Sequence, residues 1–344
     1  MEGAPGWEAI DAALARLYGD TKPHHLGTVV GWALGGADPL DGVSAYPRSD
    51  PVPHWHYISY GLTELHESES ENAEHSGWGF ELTFRLARSP ADDEPPVWAV
   101  SLLQNLARYV SRSRNCFEPG HHMNIGGPIA ADRPGTAIRA IAFVEDPELG
   151  AIATVNGRVQ FLQIVGLTTD EYEAVQMWNT SAFLETVTPA LPLLLTDVTR
   201  GSLLRDRSIA ARVQAGGDSD GSSTGSLLVD GASWEMVGGA AVVRLGALQA
   251  PFVGRLRQAR LPFGRDLVVT AGHAAIRFRP AERFVVTAEE DTVDVGVPLA
   301  GLRPLIDAIR PHAGRVTVSD VLVTVIVPTV VRDAYGNPTG EVIG

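Results

Sequence analysis

The chain has 344 residues, 44% of them hydrophobic and 20% charged, with a formal net charge of −14. That length and apolar content allow two globular cores, and the acidic balance argues against a surface that gathers phosphates, so nucleic acid is an unexpected partner and a protein an expected one. The single cysteine, Cys116, excludes an internal disulfide and any CxxC zinc site, which makes a reducing cytoplasm the expected setting.

The N-terminal stretch lacks the basic patch and apolar run of a signal peptide. Trp7, Ile10, Leu14 and Leu17 recur at helical spacing, with Gly19 placed to end the helix. HWHYISYGLTEL, residues 54–65, reads as an early strand with His54, His56, Ile58 and Tyr60 on one face and Trp55 and Tyr57 on the other. Phe80, Leu82, Phe84 and Leu86 alternate with Glu81, Thr83 and Arg85, the period of a strand with one buried and one solvent face. After Pro95 and Pro96, the spacing of Trp98, Leu102, Leu106, Tyr109 and Val110 predicts a helix. AIRAIAFV is a predicted strand closed by Glu145, Asp146 and Pro147, a turn that projects carboxylates from a rigid element. Residues 159–167 read as a central strand buried on both faces, and Thr168 with Glu171 as a capping box opening a helix through Trp178 to Val187. LPLLLTDV, residues 191–198, is predicted as a short strand.

AGGDSDGSSTGS, residues 215–226, has no apolar anchor and the composition of a flexible linker, dividing a domain over 1–214 from one over 227–344. Beyond it, AAVVRL, RDLVVTA, AAIRF and RFVVTA are short strands, followed by an amphipathic helix LAGLRPLIDAIR and a strand region from Val316. The expected fold class is α+β: two domains, each a mixed or antiparallel-rich β-sheet packed with helices, joined by a Gly/Ser/Asp-rich linker. No run of apolar residues is long enough to span a bilayer, so no membrane partner is expected.

His54 and His56 share a strand face, a geometry that metal ligands use, and with Glu64 they define one alternative, a metal-dependent hydrolase. No HExxH or CxxC accompanies them, so hydrogen-bonding histidines are the preferred reading, with no metal and no cofactor expected. GDSDG matches the nucleophile-elbow pattern at Ser219, but a nucleophile there needs a strained strand-to-helix turn rather than a linker. The acidic run over residues 64–75 lacks the spacing of a calcium loop and reads as solvated. With no catalytic constellation the chain is expected not to be an enzyme, and two domains with an exposed strand edge suit capture of an extended peptide by β-addition.

WALGGADPLDGVSAY, HWHYISYGLTEL, GWGFELTFRL, LLQNLARYV, VEDPEL, VQFLQIVGLTTDEYEAVQMWN and LLLTDVTRG, in this order over most of residues 25–205, resemble the Suppressor of fused family. RLPFGRDLVVTAGHAAIRF, DVGVPLAGLRPLID and RVTVSDVLVTVIVP resemble its C-terminal domain. The resemblance implies a non-enzymatic regulator. Animal members are cytoplasmic and nuclear, act in Hedgehog signalling, and sequester Gli-type transcription factors by gripping a short extended peptide between two domains as an added strand. Several bacterial relatives are thought to be immunity proteins that neutralise toxins. The long charged insertion and proline-rich N-terminal extension of the animal members are missing, and lysine occurs once, at Lys22, so a bacterial-type homologue with a toxin partner is expected, with Gli-type sequestration as the alternative. Carried over residue by residue, the resemblance assigns peptide contact to Asp146 with its neighbour Glu145, and secondarily to Asp170 and Glu171. The segment RLPFG, residues 260–264, is the expected second jaw.

Overall fold

A computed structural model describes residues 3–28, 36, 38–66, 74–89, 91–307, 309–332 and 338–344. Most of the acidic run, residues 67–73, lies outside the described residues. The chain divides into two compact units, Met1–Tyr172 with Leu184–Arg205, and Glu173–Phe183 with Asp206–Gly344. No helix among the described residues is long and apolar enough to cross a membrane.

Unit 1 is built on an eight-stranded sheet. Its strands are β1 (His24–Gly27), β2 (Gly42–Arg48), β3 (His54–Tyr60), β4 (His75–Ala87), β5 (His122–Asn124), β6 (Ile138–Glu145), β7 (Ala151–Thr154) and β8 (Gly157–Thr168). The order is β1-β2-β3-β4-β8-β6-β5, with β7 also against β8, and every pairing is antiparallel except β4 with β8. Helix α1 (Pro5–Tyr18) begins with proline in its first turn, where no helical N–H is needed, and ends at Gly19, whose φ of 54° suits glycine. Its stripe of Ile10, Ala13, Leu14 and Tyr18 packs on Tyr46, Ile58, Tyr60 and Phe161. Helix α2 (Val97–Ser113) covers the opposite face, setting Leu102, Leu103, Leu106 and Val110 against Tyr57, Leu82, Phe84 and Ile164.

Because helices cover both faces, the alternation in β4 does not separate core from solvent. Glu81, Thr83 and Arg85 are as fully buried as Leu82 and Phe84. Burying such groups is costly unless each is paired, and the polar side chains meet one another here. Glu81 accepts from the Ser59 hydroxyl (2.5 Å), the Gly61 and Thr63 amides (3.0 and 2.9 Å) and the Thr63 hydroxyl (2.7 Å).

Two local expectations fail. Residues 191–198 form a single 3-10 turn, Pro192–Leu194, instead of a strand. Leu193 and Leu194 take positive φ of 54° and 52°, their carbonyls accept from Gln163 Nε2, and only Thr196 bridges to β4, at Leu86. The helix expected through Trp178 to Val187 is two helices, α3 (Thr169–Met177) and α4 (Thr180–Val187). Asn179 interrupts them by accepting the Ala182 amide on its side chain (3.0 Å), as an N-cap does.

The expected linker is also corrected: its first half, residues 215–220, belongs to helix α5 (Arg207–Asp220) of unit 2. Asp206 caps that helix by accepting the Ser208 and Ile209 amides, and Gly221 ends it at φ 66°. The glycines serve close packing rather than flexibility, since a Cβ on Gly216 would lie 2.2 Å from Trp178 Cζ2. The Trp178 indole also donates to Asp220 (2.9 Å).

Unit 2 then runs through β9 (Ser226–Leu228), β10 (Ala232–Val237), β11 (Ala240–Gly246), α6 (Ala250–Arg260), β12 (Leu267–Ala271), β13 (Ala274–Pro280), β14 (Val285–Glu289), β15 (Thr292–Val297), α7 (Leu302–Asp307), β16 (Gly314–Ser319) and β17 (Leu322–Val327), ending in a hairpin of β18 (Thr329–Arg332) and β19 (Pro338–Ile343). Its sheets are ordered β10-β11-β17-β16 and β14-β15-β13-β12-β9. Both are mixed, with β11/β17, β13/β15 and β12/β9 parallel. Val243, Leu245, Val253, Leu256, Val269, Phe278, Val295 and Ile326 form the core. The fold class is α+β, as expected.

Candidate functional site

The Asp146 turn is held from within. Asp146 follows the last residue of β6, donates its amide to Phe161 O (2.8 Å) and accepts the Gly150 amide on its carbonyl (2.9 Å), so a five-residue turn closes over its side chain. Its carboxylate takes six donors. Oδ1 accepts the Glu148 and Leu149 amides (2.9 and 3.0 Å) and Arg85 Nη2 (3.0 Å), and Oδ2 accepts Arg85 Nη1 (2.6 Å), the Thr83 hydroxyl (2.8 Å) and His56 Nε2 (3.1 Å). Asp146 is 1% exposed and Arg85 fully buried. Arg85 also donates to Glu148 (2.9 Å) and to Gln163, and Glu148 carries the network outward to Arg48 (2.7 Å).

The charges follow from this geometry. Burial pushes the Asp146 carboxyl upward, but the hydrogen bond from His56 and the charge and hydrogen bonds of Arg85 override it and hold the group well below the usual carboxylate range. Burial, reinforced by the Arg85 charge, lowers His56 to about 4, so its ring is neutral at pH 7. The ionised Asp146 oxygen can only accept, which places the ring proton on Nε2 and leaves Nδ1 to accept the Tyr18 hydroxyl (2.5 Å).

The predicted contact residues therefore fall into two classes. Asp146 is an internal anchor, while Glu145 is exposed and accepts from Gln160 (2.8 Å). Glu171 is buried, accepting the Thr168 amide as the capping box requires (2.9 Å) and pairing with both terminal nitrogens of Arg200 (2.6 and 2.8 Å). The Thr168 hydroxyl turns to the exposed Asp170 instead (2.5 Å), which also accepts from Ser202 (2.5 Å). These bonds hold Asp170 below the usual carboxylate range against a burial effect that raises it.

Register brings the two carboxylate pairs to one element. In β6, Ala142, Ile141 and Ala140 face His122, Met123 and Asn124 of β5, while Ile138 faces Thr168. Glu145 and Asp146 thus lie beyond one end of the β5/β6 ladder, and Asp170 and Glu171 beyond the other. β5 is the last strand of its sheet. Phe143 N–H donates to His121 O and Ile125 N–H to Arg139 O, so His122 and Asn124 turn their main-chain groups to the outer edge. The Tyr172 ring meets His122 edge-on (5.5 Å), and its hydroxyl hydrogen-bonds the Asn124 backbone at that edge.

Other candidates are placed elsewhere. Both nitrogens of His56 are engaged, His54 Nδ1 donates to Val52 O (2.6 Å), and Glu64 is exposed. Among the described residues no group of three or more His, Cys, Asp or Glu side chains is arranged to hold a cation. Ser219 lies in the last turn of α5, not at a strand-to-helix elbow. RLPFG closes α6 and forms a 3-10 turn, and the next strand starts only at Leu267. Sequence reasoning missed Arg85, Gln163, Tyr18 and Tyr172. The apolar stripe of α1, matched to the polar face of β4, was the one signal that this face is covered.

The model of the family described as Suppressor of fused protein (SUFU) matches residues 36–201. The Suppressor of fused homologs of Homo sapiens and Mus musculus are each 39% identical over 238 residues, 63% of this chain and 48% of theirs, so the chain spans about half the length of these relatives. The crystal structure of Drosophila Suppressor of Fused has the same fold, with a TM-score of 0.79 at 21% identity over 95% of this chain and 98% of that one. A chain of the Sufu–Fu complex crystal structure aligns with a TM-score of 0.58 at 31% identity, over 61% of this chain and 98% of that one.

Proposed function

The chain belongs to the Suppressor of fused family, and we propose that it is a binding protein that performs no chemistry and takes an extended segment of a partner protein onto the outer edge of β5 as an added strand. The observation that carries this reading is the β5 edge itself: a terminal strand whose outward main-chain groups lie between two exposed carboxylates, Glu145 and Asp170. Main-chain bonds would supply affinity there, and the flanking carboxylates would select a segment with basic or histidine side chains. The Sufu–Fu complex supports a protein as the ligand class, and the net charge of −14 favours protein over nucleic acid. For the partner we infer a toxin of a bacterial host, because the sequence carries one lysine and lacks the long charged insertion expected of animal members.

The test is amide hydrogen exchange on the complex with a partner captured from the source organism. His122 and Asn124 amides should gain protection on binding, and Glu145→Arg and Asp170→Arg should each weaken it about tenfold. Tyr172→Phe, which releases the Asn124 backbone, should strengthen it. A bound partner that leaves β5 unprotected overturns strand addition.

A further inference from the structure

A cavity of about 340 Å³ opens elsewhere on unit 1, between α1, β1, β2 and β3. That is the size range of small-ligand pockets, and its lining is rich in aromatic rings. Trp7 stacks on Tyr60 with centroids 4.4 Å apart, and Tyr18 on Tyr46 at 4.0 Å, while His25 leans on Trp7 (5.7 Å) and meets Tyr60 edge-on (6.0 Å). Asp11 supplies the one carboxylate among the described lining residues, and its Oδ1 accepts the Tyr60 hydroxyl (2.9 Å).

No lysine or arginine is among those lining residues. His25 shares a hydrogen bond with the Ser44 hydroxyl (3.0 Å), and burial lowers its pKa, so it brings no positive charge at neutral pH. Arg48 stands over the Tyr18 ring (5.8 Å) outside the lining, already paired with Glu148. Four aromatic side chains of Trp and Tyr, a carboxylate and no lysine or arginine among the described lining residues make a site complementary to an organic cation. The carboxylate adds a demand for N–H donors, which a guanidinium meets and a quaternary ammonium does not.

We infer that this aromatic pocket binds a guanidinium group on an apolar stem, seated among Trp7, Tyr18, Tyr46 and Tyr60 and hydrogen-bonded to Asp11. The site is separate from the β5 edge and does not depend on that reading. Calorimetric titration of the full chain with agmatine, a small-molecule guanidinium, is the test, with a capped arginine peptide and tetramethylammonium as the other arms. Agmatine should bind, tetramethylammonium at least tenfold more weakly, and Asp11→Asn should weaken agmatine at least tenfold. Asp11 is on the exposed surface of α1, so the Asn variant should unfold at the same temperature as the wild type, which separates lost binding from lost folding. A peptide that binds tenfold tighter than agmatine assigns the guanidinium to a protein, and equal or weaker binding assigns it to a free metabolite. No agmatine binding at millimolar concentration, equal binding of tetramethylammonium, or an Asp11→Asn variant that binds normally overturns the inference.

Discussion

Replacing Asp146 with alanine removes the acceptor for six donors at once. Arg85 stays fully buried and keeps Glu148, a partly exposed carboxylate, and Gln163 as its partners. Breaking a buried ion pair from one side costs about 3–5 kcal/mol, and the stranded His56 Nε2–H and the Glu148 and Leu149 amides add to that without being strictly additive. Against a domain stability of about 5–15 kcal/mol, a loss of about 4 kcal/mol leaves unit 1 marginal. Urea unfolding followed by tryptophan fluorescence should show the midpoint falling by about 2 M with little change in slope, for a slope near 2 kcal/mol/M. The double variant Arg85→Met with Asp146→Leu should recover much of the loss, because no charge is then left unpaired. An Asp146→Ala midpoint within about 0.5 M of wild type would refute the reasoning. The outcome also governs how binding data are read: if the turn collapses, lost affinity in an Asp146 variant reports folding, and only Glu145 and Asp170 report contact.

Acidification should destabilise the protein between pH 6.5 and about 4, because His56 and His122, lowered by burial to about 4, stay neutral in the fold while the unfolded chain takes up protons. Glu81, raised by burial to about 7, works the other way: its contribution is complete below its ordinary 4.5 and lost as pH rises through about 7. Glu81→Gln should therefore steepen the acid decline in a pH series of urea midpoints, and a wild-type midpoint that rises on acidification contradicts these assignments. Gly216→Ala should cost about 1–3 kcal/mol despite alanine's better helix propensity, since the new Cβ meets the Trp178 ring at 2.2 Å, and thermal unfolding checks it. Arg257→Met should raise stability by about 1–3 kcal/mol: the guanidinium is buried on the Phe278 ring (4.3 Å) with Nη2 unpaired among the described residues, and burial lowers its pKa to about 9. A lower melting temperature for that variant would show that the arginine stabilises its site.

Periodicity identified elements wherever one face differs from the other. The α1 stripe, the α2 spacing and the opposed faces of β3 were legible for that reason. What periodicity cannot report is what lies against the polar face. Arg85 and Thr83 read as solvated because nothing local shows that α1 covers them, and Asp146 read as a projecting carboxylate because its partners are 61 and 90 positions away, at Arg85 and His56. Composition misled at residues 215–226, where glycines that admit the Trp178 ring look like those of a tether. It misled again at LPLLLTDV, where leucines promised a strand but Gln163 occupies the backbone acceptors a neighbour would need. Of the candidate site, family resemblance suggested the two carboxylate pairs; their placement at the two ends of the β5/β6 ladder required the register.

The burial of both faces of β4 has a consequence for strand alignment. In the native parallel pairing Leu82 faces Leu162, Thr83 faces Gln163 and Phe84 faces Ile164, oily rows on one side and hydrogen-bonding rows on the other. A slip by one residue would drive Glu81 and Arg85 into hydrocarbon and leave Leu82 and Phe84 among stranded donors, whereas in a sheet with one wet face the displaced charges would simply meet water. The two interiors act as a lock that accepts a single tooth position. Misaligned sheets are penalised twice, and the chain gains fidelity of assembly from the same residues that anchor its turn.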